Sequence, residues 1–432
     1  METGARKRHC WGCRRRYVVC DFTEPACWRC SASGVACPGY DNTCILRDLI
    51  PTLQLGQNPY IHHASPTYLR EASATPDFLQ LGVICMALCH RINQLGARDI
   101  SQSNVLVERY YLFRGNVLRS LSMELNSELG CTSDIVVAGT LTLLLLDIQS
   151  GAAPHWLHHL RGAQKLVSLR GGFQNLAASQ ALAPLLNCLW LVGIMTNTTC
   201  PTSHLDTSVV SHLRDLEFML EPYGFAMTPS KLWHPQLLAE VVRINNLRFK
   251  SMKRCVAGAK DLAKQAFEIL GRIQDFSPEQ AADSRPSSRQ AWTQIGYAHK
   301  SAVALYCVLS LQSVSIFPRT LPLRATCAEH GQNLRYFLSR CLSSPRTQGL
   351  MLWPLVVLGV EAVHGDAAMR AFVAQQLPEV SRFVGTSVPL TAQAVLSSFW
   401  ASGHTSWDAC FVRPYPFTTQ IAVDVSQVMA SR

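Results

Sequence analysis

Residues 10–40 read CWGCRRRYVVCDFTEPACWRCSASGVACPGY. The six cysteines, Cys10, Cys13, Cys20, Cys27, Cys30 and Cys37, fall in the pattern C-x2-C-x6-C-x6-C-x2-C-x6-C. The second half repeats both gaps of the first, a coincidence that random placement rarely produces. A C-x2-C turn brings two thiolates to one side of a helical first turn, and zinc takes four such soft ligands in a tetrahedron. Six cysteines cannot supply two zincs with eight separate positions. They can do so if two sulfurs bridge both metals. A segment this short has no apolar core of its own, so the metal must provide its folding energy.

Working outward, the chain has 432 residues, 48% of them hydrophobic and 16% charged. It is too apolar for a disordered protein, and most of it must bury a core. Gly and Pro, 25 and 22 residues, exclude a collagen-like or linker-like chain. No apolar run approaches the ~18 residues of a membrane span. The longest, Leu141 to Ile148, is interrupted by Thr142 and Asp147, so no membrane partner is expected. No apolar segment follows the basic residues near Met1, which argues against a secretory leader and, with it, a disulfide framework. Of the 17 cysteines, the eleven outside the cluster (Cys44, Cys85, Cys89, Cys131, Cys188, Cys200, Cys255, Cys307, Cys327, Cys341 and Cys410) lie among apolar residues. They read as small buried hydrophobes in a reducing compartment. Cys85 and Cys89, four apart, read as core packing.

The net charge is +10 and unevenly spread. Arg6, Lys7, Arg8, Arg14, Arg15, Arg16 and Arg29 face only Glu2, Asp21 and Glu24 within the first 40 residues. Such a basic end suits a polyanion. Six thiolates around two zinc ions sum to −2, so the arm's own contribution to affinity is expected to be modest and salt-sensitive.

Cys10 to Tyr40 resembles the fungal zinc binuclear cluster family of transcription regulators. The resemblance rests on the six cysteines, Arg14 after the second, Asp21 after the third, Pro25 in the connecting loop, and Gly34 with Cys37-Pro38-Gly39-Tyr40. It implies two zinc ions per chain, bridged by Cys10 and Cys27. One zinc then holds Cys10, Cys13, Cys20 and Cys27, and the other Cys10, Cys27, Cys30 and Cys37. It also implies that Arg14 to Val19 form a short helix in the major groove of double-stranded DNA, at a CGG-like triplet. Arg16 is expected near the bases, where its fork can grip a guanine edge. Arg14 and Arg15 are expected mainly on phosphates, with backbone contacts from Arg8 and Arg29. Tyr17 and Val19 stand where the family commonly has basic residues. Val19 removes a phosphate contact, while Tyr17 either stacks, hydrogen-bonds or alters the triplet preference.

Residues 41–76, with Pro51, Pro59, Pro66, Pro76 and Gly56, read as a linker. The short Ile45-Leu46-Leu49-Ile50 cluster is no heptad zipper. From residue 77 to 432 the pattern is helical: a small zinc module is followed by a large all-α regulatory domain. Leu79, Val83, Met86, Cys89 and His90 recur at helical spacing. Thr132-Ser133-Asp134 caps a helix over Ile135 to Ile148. Pro154 opens another, with Trp156, Leu160, Ala163 and Val167 on one face and Gly171-Gly172 at its end. Further helices are expected over 233–275, 291–316, 325–342, 350–363 and 366–382, with a mobile loop from Ser277 to Gln290. The stretch from Leu146 through Gly172 resembles the fungal-specific transcription factor domain that accompanies these zinc modules.

No nucleophile elbow, P-loop, dinucleotide fingerprint or H-E-x-x-H is present. His155, His158 and His159 read as partly exposed, and Asp147 as a structural partner of Arg161 or Lys165. The tail 396–432, with Asp408 and Asp424, carries no acidic-hydrophobic array. The expectation is a nuclear, non-enzymatic, DNA-binding regulator of RNA polymerase II genes, specific to one pathway, such as a secondary-metabolite gene cluster. Its expected partners are DNA, a second copy of the chain, and a small-molecule effector or co-regulator on the helical domain. The alternatives are a helical small-molecule enzyme, or an interaction protein that keeps the zinc module only as structure.

Overall fold

The structure, a computed structural model, describes residues 10, 13, 18–23, 27–34, 37, 76–95, 100–127, 133–151, 155–176, 182–220, 233–252, 259–283, 288–345 and 347–418. Arg8, Arg14, Arg15, Arg16, Tyr17, Pro25, the linker before Pro76, Thr132, Pro154, Cys44, Cys131, Cys255 and the tail beyond 418, Asp424 included, lie outside these. The described residues fall into two compact units. No strand occurs among them, and no described helix is long and apolar enough to cross a membrane.

The amino-terminal unit has a core of sulfur. Cys10, Cys13, Cys20, Cys27 and Cys30 are buried, with Val18, Phe22 and Cys37 packed against them. Its described helix is α1 (Trp28–Ala32), capped by Cys27.

The second unit opens with α2 (Asp77–Leu95), α3 (Ile100–Leu125), α4 (Asp134–Ser150), α5 (Trp156–Leu169), α6 (Gly172–Leu176) and α7 (Ala183–Thr198). α4 starts where its side chains dictate: the Ser133 hydroxyl accepts the Val136 N–H at 3.2 Å. It stops at Gly151, whose φ of +61° closes the last turn. Every residue from Ile135 to Gln149 is buried, as an all-round apolar helix requires. α5 buries Trp156, Leu160, Ala163 and Val167, the stripe expected from spacing. Gly171 and Gly172, with φ of +88° and +89°, turn the chain after it. α2 packs along α3 and α4, and α4 along α5.

The carboxyl-terminal half adds α8 (Ser208–Arg214), α9 (Leu216–Leu220), α10 (Pro235–Ser251), α11 (Ala259–Asp275), α12 (Pro278–Ala282), α13 (Arg289–Ser313), α14 (Leu321–Leu342), α15 (Leu352–Glu361), α16 (Ala367–Val384), α17 (Val388–Ser402) and α18 (Trp407–Cys410). α13 is the hub, touching α10, α11, α12, α14, α15 and α18. All of α15 is buried. Two expectations need correction. The helix over 233–275 is two helices, α10 and α11. The loop from Ser277 to Gln290 contains α12, because the Ser277 hydroxyl accepts the Gln280 N–H at 3.3 Å and Pro278 presets the first turn. It also contains the start of α13.

The chain end is stitched back onto its beginning. α16 packs on α2, and α17 on α4. The Gln149 side chain donates to the carbonyls of Met86 and Gly385, each at 3.2 Å, and Thr386 and Ser387 donate to the Gln149 carbonyl. Deeper in, fully buried Arg248 donates to the carbonyls of Asn197 (2.7 Å) and Cys200 (2.6 Å), to the Tyr306 hydroxyl (3.1 Å) and to Asp408 Oδ1 (3.1 Å). Asp408 Oδ2 accepts the Thr202 N–H at 2.9 Å. Both terminal nitrogens of the guanidinium are thus satisfied, while Nε has no acceptor among the described residues; each buried N–H left bare costs about 1–3 kcal/mol.

Candidate zinc and DNA-binding site

The internal repeat of the sequence reappears as a repeat of N–H···S contacts. The Cys13 N–H points to Cys10 Sγ at 3.2 Å, and the Cys30 N–H to Cys27 Sγ at 3.3 Å. The Cys10 N–H points to Cys20 Sγ at 3.4 Å, and the Cys27 N–H to Cys37 Sγ at 3.2 Å. Equal gaps thus give equal N–H···S contacts. Each of these N–H groups favours the charged form of the sulfur it faces.

The sulfurs converge. Cys10 Sγ lies 3.4 Å from Cys27 Sγ and 3.7 Å from Cys30 Sγ, and Cys13 Sγ lies 3.5 Å from Cys27 Sγ. Cys10, Cys13, Cys20 and Cys27 form one group with all sulfurs within 4.8 Å of one another, and Cys10, Cys27, Cys30 and Cys37 form a second. Cys10 and Cys27 belong to both. Burial pushes the Cys10 thiol far above its ordinary range and the Cys27 thiol up to about 12, so without a cation these two shared sulfurs stay protonated. A soft divalent cation reverses that logic, because a coordinated thiol is deprotonated outright. The donor set therefore fits zinc: sulfur only, four per group, buried except for half-buried Cys37.

Around the cage, Asp21 fastens α1. Its Oδ1 accepts the Thr23 N–H (3.2 Å) and hydroxyl (2.9 Å), its Oδ2 accepts the Arg29 N–H (3.1 Å), and Thr23 Oγ1 accepts the Trp28 N–H (2.9 Å). Partial desolvation works against the Asp21 carboxylate, but these bonds hold its pKa below the usual value. The D-x-T triplet is the sequence signal for such a turn, and it marks Thr23, a residue to which the cysteine spacing does not point. Phe22 reaches the cage through a φ of +61°. Arg29, Trp28 and Val19 are exposed. Arg8, Arg14, Arg15, Arg16 and Tyr17 lie outside the described residues.

The other sequence candidates are structural. Asp147 is corrected: it pairs with Arg114 (2.8 and 3.0 Å) and His159 (3.2 Å), not with Arg161 or Lys165. Burial raises its carboxyl, but His159 and Arg114 outweigh that and hold it low. Arg161 sits 4.0 Å from Asp206 instead. His155 and His158 are exposed, their rings 6.4 Å apart. Cys85 and Cys89 are buried in α2, and burial pushes both thiols up to about 12.

A sulfur cage on a basic arm, followed by an all-helical body, defines a zinc-cluster regulator. Residues 8–43 match the fungal Zn(2)-Cys(6) binuclear cluster domain, and residues 40–413 match the fungal specific transcription factor domain. The chain belongs to this family of DNA-binding, zinc-cluster transcription factors, and its cluster binds two zinc ions. It is 53% identical to a protein of Leptosphaeria maculans named as the phomenoic acid biosynthesis cluster-specific transcriptional regulator, over 99% of this chain and 92% of that protein. No solved structure matches the chain at a significant level.

Proposed function

We propose that this chain is a pathway-specific, non-enzymatic transcription regulator that acts in the nucleus and controls a biosynthetic gene cluster. The observation that carries the site assignment is that Cys10 and Cys27 are common to both sulfur groups. In this reading they bridge the two zincs. Cys13 and Cys20 complete one site, and Cys30 and Cys37 the other. The metal supplies rigidity and takes no part in a reaction. The rigid arm presents Arg16 to the base edges of a CGG-like triplet, Arg14, Arg15, Arg8 and Arg29 to phosphates, and Tyr17 beside them. Residues 1–40 form the DNA-binding domain, 41–76 the linker and 77–432 the regulatory domain. Homodimerisation doubles the contacts on duplex DNA, and the helical domain receives an effector or co-regulator. The likeness to a cluster-specific regulator over nearly the whole chain supports the pathway assignment.

A mobility shift with CGG-containing and scrambled duplexes over a salt series tests the reading. Preference for CGG that vanishes with chelation is expected. Equal retention of both duplexes would refute base reading. Genome-wide mapping of bound sites tests the pathway claim, with binding concentrated at promoters of one biosynthetic cluster as the expected result.

A further inference from the structure

Four segments of the helical unit meet around a cavity of about 280 Å³, close to the lower end of the ~300–1,000 Å³ range of small-molecule sites. They are the end of α13, the start of α14, the turn after α15, and the link from α17 to α18. The walls mix apolar and cationic groups. Leu309 and Leu321 supply hydrocarbon, and Leu321 is 86% exposed at the rim. Arg319, Arg324 and His364 bring positive or proton-bearing nitrogens, and Thr320 and Thr405 bring hydroxyls.

The charges do not cancel. Arg324 is locked by a bidentate pair with buried Glu361, which fixes its fork while leaving other N–H donors uncommitted. Arg319 has no ion-pair partner among the described residues. His364 feels both guanidiniums: partial burial first, then Arg324 and Arg319, keep its proton affinity low, against a hydrogen bond to the Thr405 backbone. Thr320 sits at the N-cap position of α14, yet its hydroxyl makes no capping bond. The wider groove between α10 and α11 offers no such surplus, because its two cations, Arg243 and Arg272, are matched by the two carboxylates Glu240 and Asp275 in the same lining.

We propose that this cavity binds a small organic carboxylate, its anionic end on Arg319 and Arg324 and its hydrocarbon end against Leu309 and Leu321. The proposal rests on reading the helical domain as the receiver of an effector, and it assigns that effector a place and a chemical class. The site also has a route inward. Its lining residue Ser313 accepts the Asp408 N–H at 3.2 Å, and Asp408 is the carboxylate partner of buried Arg248. A ligand there bears on the network that ties α7, α10, α13 and α18 together.

The test uses the full-length, zinc-loaded chain and three probes: sodium hexanoate, 1-hexanol and sodium phosphate. Titration calorimetry and melting of the helical signal are read for wild type, Arg319→Lys and Arg319→Glu, with duplex binding measured on the same preparation. A saturable response to hexanoate alone is expected, weakened at least about tenfold in Arg319→Glu and less in Arg319→Lys. Arg319 is exposed, and unliganded melting curves check that the variants fold. An equal hexanoate response in Arg319→Glu, or no saturable response at all, overturns the site. Binding of phosphate in place of hexanoate, or of hexanol equally well, overturns the carboxylate class. If the preparation still binds duplex DNA while hexanoate does nothing, the failure belongs to this cavity and not to the regulatory reading.

Discussion

Cys10 and Cys27 differ from the other four cage cysteines by geometry alone, since all six are the same chemical group and only these two lie in both sulfur sets. A bridging ligand cannot be lost from one metal only. Cys27→Ser is therefore expected to leave well under one zinc per chain by elemental analysis and to abolish duplex binding. Cys188→Ser, a change deep in the helical core, should keep both zincs. One full zinc retained by Cys27→Ser would refute the bridge. In the proposed reading the arginines separate by role. Arg16→Ala should lose about 1–3 kcal/mol of discrimination against a mutated triplet, whereas Arg29→Ala should weaken all sequences alike and lower the salt slope by about 1.

At the scale of elements, caps and turns decide where helices begin and end. Removing the Ser133 hydroxyl in Ser133→Ala is expected to cost about 1 kcal/mol in denaturant unfolding. Gly385 is a harder constraint. It follows α16 with a φ of +72°, and a Cβ there would collide with the His90 ring. His90 is itself held at 3.1 Å to the Val384 carbonyl. Gly385→Ala combines backbone strain of about 1–3 kcal/mol with that clash and should destabilise far more than Ser133→Ala. Equal effects in the same assay would show that the α2–α16 junction yields easily. The small α12 was poorly legible in sequence, because it sits in a polar stretch and its start depends on one capping hydroxyl, Ser277, and on Pro278.

For the whole molecule, the two units draw stability from different sources. Chelation should unfold the sulfur-cored arm and abolish DNA binding, yet leave helical circular dichroism and the main melting transition nearly unchanged, because the helical unit has its own apolar core. Loss of that transition on chelation would contradict independent cores. Acid should act on the helical unit. Burial lowers His212 to about 4, against a weaker opposing pull from Asp206, and it lowers His299 to about 3, helped by nearby His234 and opposed by the Leu350 backbone. Both rings fold neutral, while the unfolded chain takes up protons near pH 6.5. Stability is thus intact above pH 6.5 and drains as pH falls toward 4, at up to about 1.4 kcal/mol per pH unit for each ring. Unfolding midpoints at pH 7, 5.5 and 4.5 should fall in that order, and His212→Gln should flatten the decline. A flat wild-type profile would show that neither ring is buried neutral.

The chemistry of the amino end and the helical character of the rest are legible in the order of residues alone. Six cysteines at repeated spacing admit few arrangements around a metal, and α4 and α5 announce themselves through a serine cap, closing glycines and a 3.6-residue stripe. These are local signals, carried by residues close together in the chain. Folding in three dimensions is what brings Asp147 to Arg114 and His159, Asp408 to buried Arg248 160 residues away, and four separate segments around the cavity beside Arg319. Such partnerships depend on which helices pack together. That choice is made by the summed burial of many apolar faces, and no single stretch of sequence encodes it.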